Sequence, residues 1–212
     1  MKKKLIIFDM DGVIFDSIEE SRKTVAKQYP GLTPEMHKEL LTGNFHEEIK
    51  KITIPKKIET EEEVKIRQEE YSKIKSKSPM YAGVEGLLIK LHDLGYILAL
   101  NTSAFSRNTL PILENSKITH LFDTVATAEL SKSKTEKFEM IKDKYTATEE
   151  NVLFVTDTLG DLREADEANI STVLVTWGAH DRSYFDREKH NNLIGIVDTP
   201  EELIDSITNY FK

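Results

Sequence analysis

The 212-residue chain contains no cysteine. That excludes a disulfide framework, a thiolate metal site and a cysteine nucleophile, and it suits a reducing, cytoplasmic setting. Long apolar runs are missing too. After Met1-Lys2-Lys3-Lys4, which imitates the charged start of an export signal, the apolar run Leu5–Phe8 stops at Asp9. It falls well short of the roughly 7–15 residues that a signal core needs. Export is not expected, and no later run is long enough to span a bilayer. Excess positive charge is also lacking: 29 Lys and Arg stand against 37 Asp and Glu, a formal charge of −8. Nucleic acids and anionic membranes are recognised by clustered Lys and Arg, so neither is an expected partner. Internal repeats and low-complexity tails are absent. What remains is 39% apolar and 31% charged, the composition of a folded chain with one core and room for a satellite domain.

The residues that are present fall into a rhythm. Leu5–Phe8 is a short continuous apolar run, which suits a parallel strand covered on both faces. Similar runs at 96–100, 152–155, 172–175 and Leu193–Val197 alternate with helical segments. Such alternation predicts an α/β fold, a doubly wound parallel-sheet (Rossmann-like) core. In 84–94, Leu87, Leu88, Leu91 and Leu94 recur at helical spacing, and Gly95 is suited to a left-handed C-terminal cap. Phe138, Ile141 and Tyr145 form a similar stripe.

Residues 17–78 carry helical signals and almost no strand-like run, so they are expected to form a small inserted helical domain, with residues 1–16 and 79–212 as the core. Ser17-x-x-Glu20 and Thr60-x-x-Glu63 match the capping box, in which hydroxyl and carboxylate satisfy each other's orphan backbone donors. The second box opens a charged helix to about Lys77, whose stretch 59–77 is expected to be a solvated face. Pro30-Gly31, Pro34 and Pro55 break the remainder into short helices, and Ser78-Pro79 reads as the return hinge.

In an open parallel sheet ligands bind beyond the carboxyl ends of the strands. There the sequence places Asp9 and Asp11 after the first run, Thr102 and Ser103 after the second, and Asp157 and Asp161 after the run ending at Val155, with Lys132 and Lys134 on a loop that opens a helix. Clustered carboxylates repel one another unless a cation joins them. Mg2+ prefers hard oxygen ligands, commonly one or two carboxylates, and keeps positions for water and a substrate phosphate. A hydroxyl can donate to a phosphate oxygen, and a lysine offsets its charge. Together these groups are an inventory for phosphoryl transfer.

Asp9-Met10-Asp11-Gly12-Val13-Ile14-Phe15-Asp16-Ser17 resembles the first signature of the haloacid dehalogenase superfamily, in the phosphoglycolate phosphatase-like and beta-phosphoglucomutase-like group with a helical cap inserted after the first strand. Thr102 is similar to the second motif's hydroxyl, Asp157-Thr158-Leu159-Gly160-Asp161 to the acidic fourth motif, and Val175-Thr176-Trp177-Gly178 to a strand end of that group. The resemblance implies a phosphatase in which Asp9 attacks phosphorus and forms an aspartyl phosphate. Asp11 would protonate the leaving oxygen and later deprotonate water. Mg2+ would be held by Asp9, the Asp11 main-chain carbonyl and Asp157, with Asp161 nearby. Dehalogenases of the superfamily lack the second aspartate, so Asp11 favours phosphate chemistry.

The third motif departs from the pattern. Ser131-Lys132-Ser133-Lys134-Thr135 lacks the Pro-x-Pro that usually follows the lysine. Lys132 and Lys134 therefore compete for the phosphate-binding role, and the reading leans to Lys134. Leu41-Thr42-Gly43-Asn44-Phe45-His46 resembles the cap turn that faces the active site, which makes Asn44 and His46 substrate-binding candidates beside Ser103. Plainer roles exist for several of these: Asp161 as a helix-start residue, Thr102 as a helix cap, Trp177 as strand-end packing. His180 and His190 lack ligand spacing and are given no role. The expected partner is a small phosphorylated metabolite. The alternatives are a phosphomutase on a sugar phosphate, which would use the same residues, and a non-catalytic binding or regulatory protein.

Overall fold

Six short strands in the computed structural model, which describes residues 3–187 and 189–212, pair into one parallel sheet. Its strands are β1 (Leu5–Phe8), β2 (Ile97–Asn101), β3 (Thr124–Ala126), β4 (Val152–Thr156), β5 (Ser171–Val175) and β6 (Leu193–Val197), in the order β3-β2-β1-β4-β5-β6. Sequential strands run outward from β1 in both directions, so the winding reverses between β1 and β4. The crevice beyond their carboxyl ends is where such sheets bind ligands.

Burial on both faces explains the continuous apolar runs. In β1, Ile6 and Phe8 join one core with Leu98, Leu100, Leu153 and Val155. Leu5 and Ile7 join the opposite core with Ile97, Ala99, Val152 and Phe154. The first face is covered by α5 (Val84–Asp93), α6 (Ser106–Asn115) and α10 (Pro200–Tyr210), the second by α7 (Lys134–Tyr145) and α8 (Leu159–Glu167). Phe138 of α7 meets Phe154 edge-on at 4.8 Å. The predicted strands are found with ends shifted by at most a residue. β3 was not foreseen, because three residues of Thr-Val-Ala at the sheet edge make no apolar run. α5 buries Leu87, Leu88 and Leu91 as expected, but Leu94 is exposed: it is the C-cap, past the covered face, and Gly95 follows at φ 81.

Between β1 and α5 the described chain is helical: α1 (Ile18–Gln28), α2 (Pro34–Leu40), α3 (Phe45–Lys51) and α4 (Glu61–Lys75). α4 packs on α1 and on α6 of the core. Thr60 and Glu63 form the predicted capping box, with Thr60 N–H donating to Glu63 Oε2 at 2.8 Å and Glu63 N–H to Thr60 Oγ1 at 3.2 Å. The Ser17 box is not formed. Ser17 occupies the N-cap position of α1 without a capping bond, and its hydroxyl donates to Asp11 instead. A carboxylate accepts a charge-assisted hydrogen bond, and it outcompetes the helix terminus. A last short helix, α9 (Arg182–Phe185), lies between β5 and β6. Among the described residues no helix is long and apolar enough to cross a membrane.

Candidate active site

The carboxyl ends of β2, β1 and β4 bring Asp9, Asp11, Thr102, Asp157 and Asp161 to one end of the sheet, with the buried Lys134 ammonium between Asp9 and Asp161. Ser133 caps α7 by accepting from Glu136 N–H, so Lys134 becomes the first residue of that helix. Side chains in a first helical turn lean back toward the N-terminus. Lys134 accordingly reaches back to donate to Asp9 Oδ1 and Asp161 Oδ2, both at 2.6 Å. Burial lowers the Lys134 pKa, but Asp161 and Asp9 more than offset it and hold the pKa above the ordinary lysine value. Lys132 is exposed and offers the site only a main-chain carbonyl, which accepts from Asn44. Of the two competing lysines, the fold brings only Lys134 to the cluster; Lys132 lies before the cap, where no helix turn aims it inward.

Asp157, at the end of β4, is packed between two glycines. A Cβ on Gly12 would lie 1.9 Å from Asp157 Oδ2, and one on Gly178 would lie 2.2 Å from it. Gly12 also sits at φ 82, a conformation that side chains rarely adopt. Asp157 Oδ2 accepts from Ala179 N–H at 2.6 Å, while its buried Oδ1 has no partner. Burial first, and then the neighbouring Asp9, raise the Asp157 pKa well above the usual carboxylate range. Asp9 is pushed to about 7 by burial, against the opposing pull of Lys134 and with added repulsion from Asp161 and Asp11.

Asp161 is not the cap of α8. Thr158 fills that place, and the Asp161 carboxylate accepts instead from Lys134 and from Thr156 Oγ1 at 2.7 Å. Nor is Thr102 a helix cap: α6 has Phe105 there, with no side-chain bond. Thr102 Oγ1 accepts from Ala104 N–H at 3.1 Å, which leaves its own hydroxyl hydrogen free to donate.

A cavity of about 800 Å3 opens above this cluster, between the strand ends and the helical insertion. His46 and Ser103 line it, with His46 Nε2 3.2 Å from the Ser103 carbonyl. Burial lowers the His46 pKa, which keeps the ring neutral at neutral pH. Asn44 does not line it. Its Oδ1 caps α3 by accepting from His46 N–H, and its Nδ2 donates to the Lys132 carbonyl at 2.9 Å and to Glu164 at 3.1 Å. These bonds make it a strut between insertion and core.

Two lysines were missed. Lys75, the last residue of α4, is 1% exposed and donates to Asp11 Oδ2 at 2.6 Å. It contradicts the expected solvated face over 59–77, and nothing separates it from its charged neighbours in sequence. Asp11 thus receives one bond from each end of the insertion, Ser17 and Lys75. Lys137 is fully buried one turn beyond Lys134 and donates to the Thr102 carbonyl at 2.6 Å. Burial and then the like charge of Lys134 lower its pKa to about 8. The available clue was its spacing in the stripe, since a lysine four residues before Ile141 lies on the same face of the helix. His180, given no role, accepts from Leu159 N–H at 3.0 Å and holds the Lys38 carbonyl of the insertion at 2.9 Å. Trp177 packs as expected, its Nε1 donating to the Val13 carbonyl at 3.1 Å.

The donor set fits a divalent cation. Among the described residues no three His, Cys, Asp or Glu side chains converge on one point. Mg2+ needs fewer, since it commonly takes one or two carboxylates and fills the rest with carbonyls and waters. The unpartnered Asp157 Oδ1 beside a second carboxylate of raised pKa is the signature of a position awaiting positive charge.

A parallel sheet with an aspartate pair after its first strand, a hydroxyl after the second and an acidic pair after the fourth defines a hydrolase of one class. The chain belongs to the haloacid dehalogenase-like hydrolase family, whose pattern it matches over residues 6–175. A phosphoglycolate phosphatase of Aliivibrio fischeri is 28% identical over 195 residues, covering 82% of this chain and 85% of the relative. One from Vibrio cholerae is 26% identical over 193 residues with the same coverage. Among solved structures, a haloacid dehalogenase-like hydrolase from Streptococcus pneumoniae superposes with a TM-score of 0.76 at 19% identity, over 100% of this chain and 99% of that one. CbbY from Rhodobacter sphaeroides, solved with phosphate, gives 0.74 at 17% identity over 95% and 96%. These two likenesses establish the shared fold.

Proposed function

We propose that the chain is a Mg2+-dependent phosphatase that hydrolyses a small phosphomonoester through an aspartyl phosphate on Asp9. The observation that carries the reading is the Asp9–Lys134–Asp161 ion cluster beneath an open cavity, with Asp157 uncompensated next to it. The phosphatase names of the two sequence relatives support it. In this reading Asp9, Asp157 and the Asp11 carbonyl would hold Mg2+, which when bound supplies charge neutralisation for the ionised nucleophile and the phosphate oxygens. Asp9 attacks phosphorus with one carboxylate oxygen. Asp11, oriented by Ser17 and Lys75, gives its proton to the leaving oxygen and then takes one from the attacking water. The free Thr102 hydroxyl and Lys134 donate to phosphate oxygens. Lys137 holds the Thr102 main chain in place from below.

Residues 17–78 serve in this reading as the cap over a core of residues 1–16 and 79–212, excluding water when seated. The test is phosphate release from an aryl phosphate with and without Mg2+. Wild type should release phosphate only with the metal, and Asp9→Asn should lower the rate by about 10^3-fold or more. Unchanged release in Asp9→Asn removes the covalent mechanism. No release from folded wild type, on any substrate, favours a binding role, and a requirement for added bisphosphate favours a mutase.

A further inference from the structure

Lys134 holds its ammonium between Asp9 and Asp161, yet the chain leading to it is not shaped by its residue types. Residues 127–135 read Thr-Ala-Glu-Leu-Ser-Lys-Ser-Lys-Thr, with neither proline nor glycine. No ring fixes φ there, so hydrogen bonds must set the approach to α7. Some of the constraint is local: Ser131 Oγ accepts from Ser133 N–H at 3.0 Å and donates to Glu136 at 2.7 Å. The rest comes from two side chains remote in sequence. Glu164, on α8, accepts from Lys134 N–H at 2.8 Å through Oε1. Asn44, in the turn between α2 and α3, donates from Nδ2 to the Lys132 carbonyl at 2.9 Å and to that same Glu164 oxygen at 3.1 Å.

These contacts close a ring. From the Lys132 carbonyl it passes through the Asn44 amide and the Glu164 carboxylate to Lys134 N–H, and the chain 132–134 completes it. The Asn44 amide cannot turn away, because its Oδ1 is held by His46 N–H at the start of α3. Lys134 N–H is the first donor of α7 and has no partner within its own helix, so Glu164 supplies it. Burial, and then Asp161, raise the Glu164 pKa. A carboxylate so placed is unfavourable unless donors meet it, and the two that do come from the lysine's own helix and from the insertion.

We infer that Asn44 and Glu164 are positioning residues for the phosphate-binding lysine: through Asn44, the seated insertion fixes the start of α7 and with it the Lys134 ammonium, so the anion site is complete only while the insertion is in place. The inference rests on the phosphatase reading and adds a regulation of its site. Both residues act through the main chain at 132–134, while the ammonium itself is engaged by Asp9 and Asp161. A shift of about 1 Å in such a group can cost about 100-fold in rate.

The experiment measures inhibition of aryl phosphate hydrolysis by orthovanadate, with Mg2+, alongside kcat and KM. Vanadate accepts a fifth oxygen ligand as phosphorus does during transfer, so its Ki reads the anion site. Asn44→Ser keeps an oxygen to cap α3 and removes the amide donor; Glu164→Met keeps the bulk and removes the acceptor. Each should raise Ki about 10–100-fold, and the double variant should be no worse than the worse single, because both act through one brace. Glu164→Gln retains an accepting oxygen and should restore Ki. Ser72→Ala cuts a different contact of the insertion, to the Arg107 carbonyl, and should leave Ki unchanged. Asn44 and Glu164 sit on different elements, so a folding failure in one variant, read from its melting curve, leaves the other to decide. A wild-type Ki in the folded variants, additive losses, no rescue by Glu164→Gln, or an equal loss in Ser72→Ala overturns the inference and leaves the phosphatase reading standing. A folded wild type that turns over no phosphomonoester removes both.

Discussion

The sheet and the helical insertion are held by different forces. Every residue of β1, β2 and β4 is buried, and the sheet's geometry follows from apolar surface removed from water on two faces. Within α1 and α3 no residue is fully buried, and the described insertion buries only Leu32 and Leu40 as hydrophobics. Its seat on the core is made of directional contacts instead: Lys75 to Asp11, Asn44 to Glu164, the Leu41 carbonyl to Gly160 N–H at 3.0 Å, and Ser72 to the Arg107 carbonyl at 2.7 Å. Burial of a large side chain is worth about 1.5–3 kcal/mol wherever it occurs. A hydrogen bond adds about 1 kcal/mol, and only in one geometry. The core is therefore stable by mass, whereas the insertion is registered by a few exact partners and is the part that can be repositioned by single changes.

The largest effect that would sharpen this contrast is in the core. Phe154→Ala empties a site packed against Phe138 and should cost about 3–5 kcal/mol in urea denaturation. A loss below about 1 kcal/mol would mean that the core is not the stability reservoir. Next comes Lys75→Met, which removes a tether without opening a cavity. kcat should fall about 10–100-fold, because Asp11 loses an orienting partner. A wild-type kcat would separate the insertion from the chemistry.

Gly160→Ala should act on the seat alone. Its Cβ would lie 2.4 Å from the Gly43 carbonyl oxygen, so the turn at 41–44 must move. The cost of such overpacking is about 1–3 kcal/mol. Hydrogen exchange should then quicken in the insertion while β1 and β4 keep their protection; uniform quickening would deny that the two regions are separable. The smallest effect concerns pH and metal. With Asp9 raised to about 7 and Asp157 raised as well, the metal-free fold is favoured by protonating them. That contribution is complete below their unfolded-state value, near 3.8, and is lost as pH rises to about 7. Mg2+ needs both carboxylates ionised, so its rise in melting temperature should grow from pH 5 to pH 8, about 1.4 kcal/mol for each tenfold gain in affinity. A metal effect independent of pH would place the ion away from these two residues.

The same division governs what could be read in advance. Leu5–Phe8 and the Phe138 stripe announce themselves because burial leaves an apolar pattern in sequence. Asp9, Asp157 and Thr102 were legible because they directly follow such runs. Lys75 was not, because a lysine that crosses into the site looks the same as one that points to water. Ser17 misled for a related reason: a hydroxyl before a helix is a cap by local chemistry, and only the fold brings a stronger acceptor to it. Asn44 was placed correctly on the turn facing the core, but whether its amide meets ligand or neighbouring chain depends on the tertiary position of Glu164.

Trp177 is the chain's single tryptophan. Its indole packs 6.5 Å from the Tyr81 ring, just after the insertion rejoins the core, and it adjoins Gly178 against Asp157. All indole emission therefore originates at the one place where the chain returning from the insertion, a strand end and the carboxylate cluster meet. The protein carries its own optical reporter of that junction, free of background and needing no label.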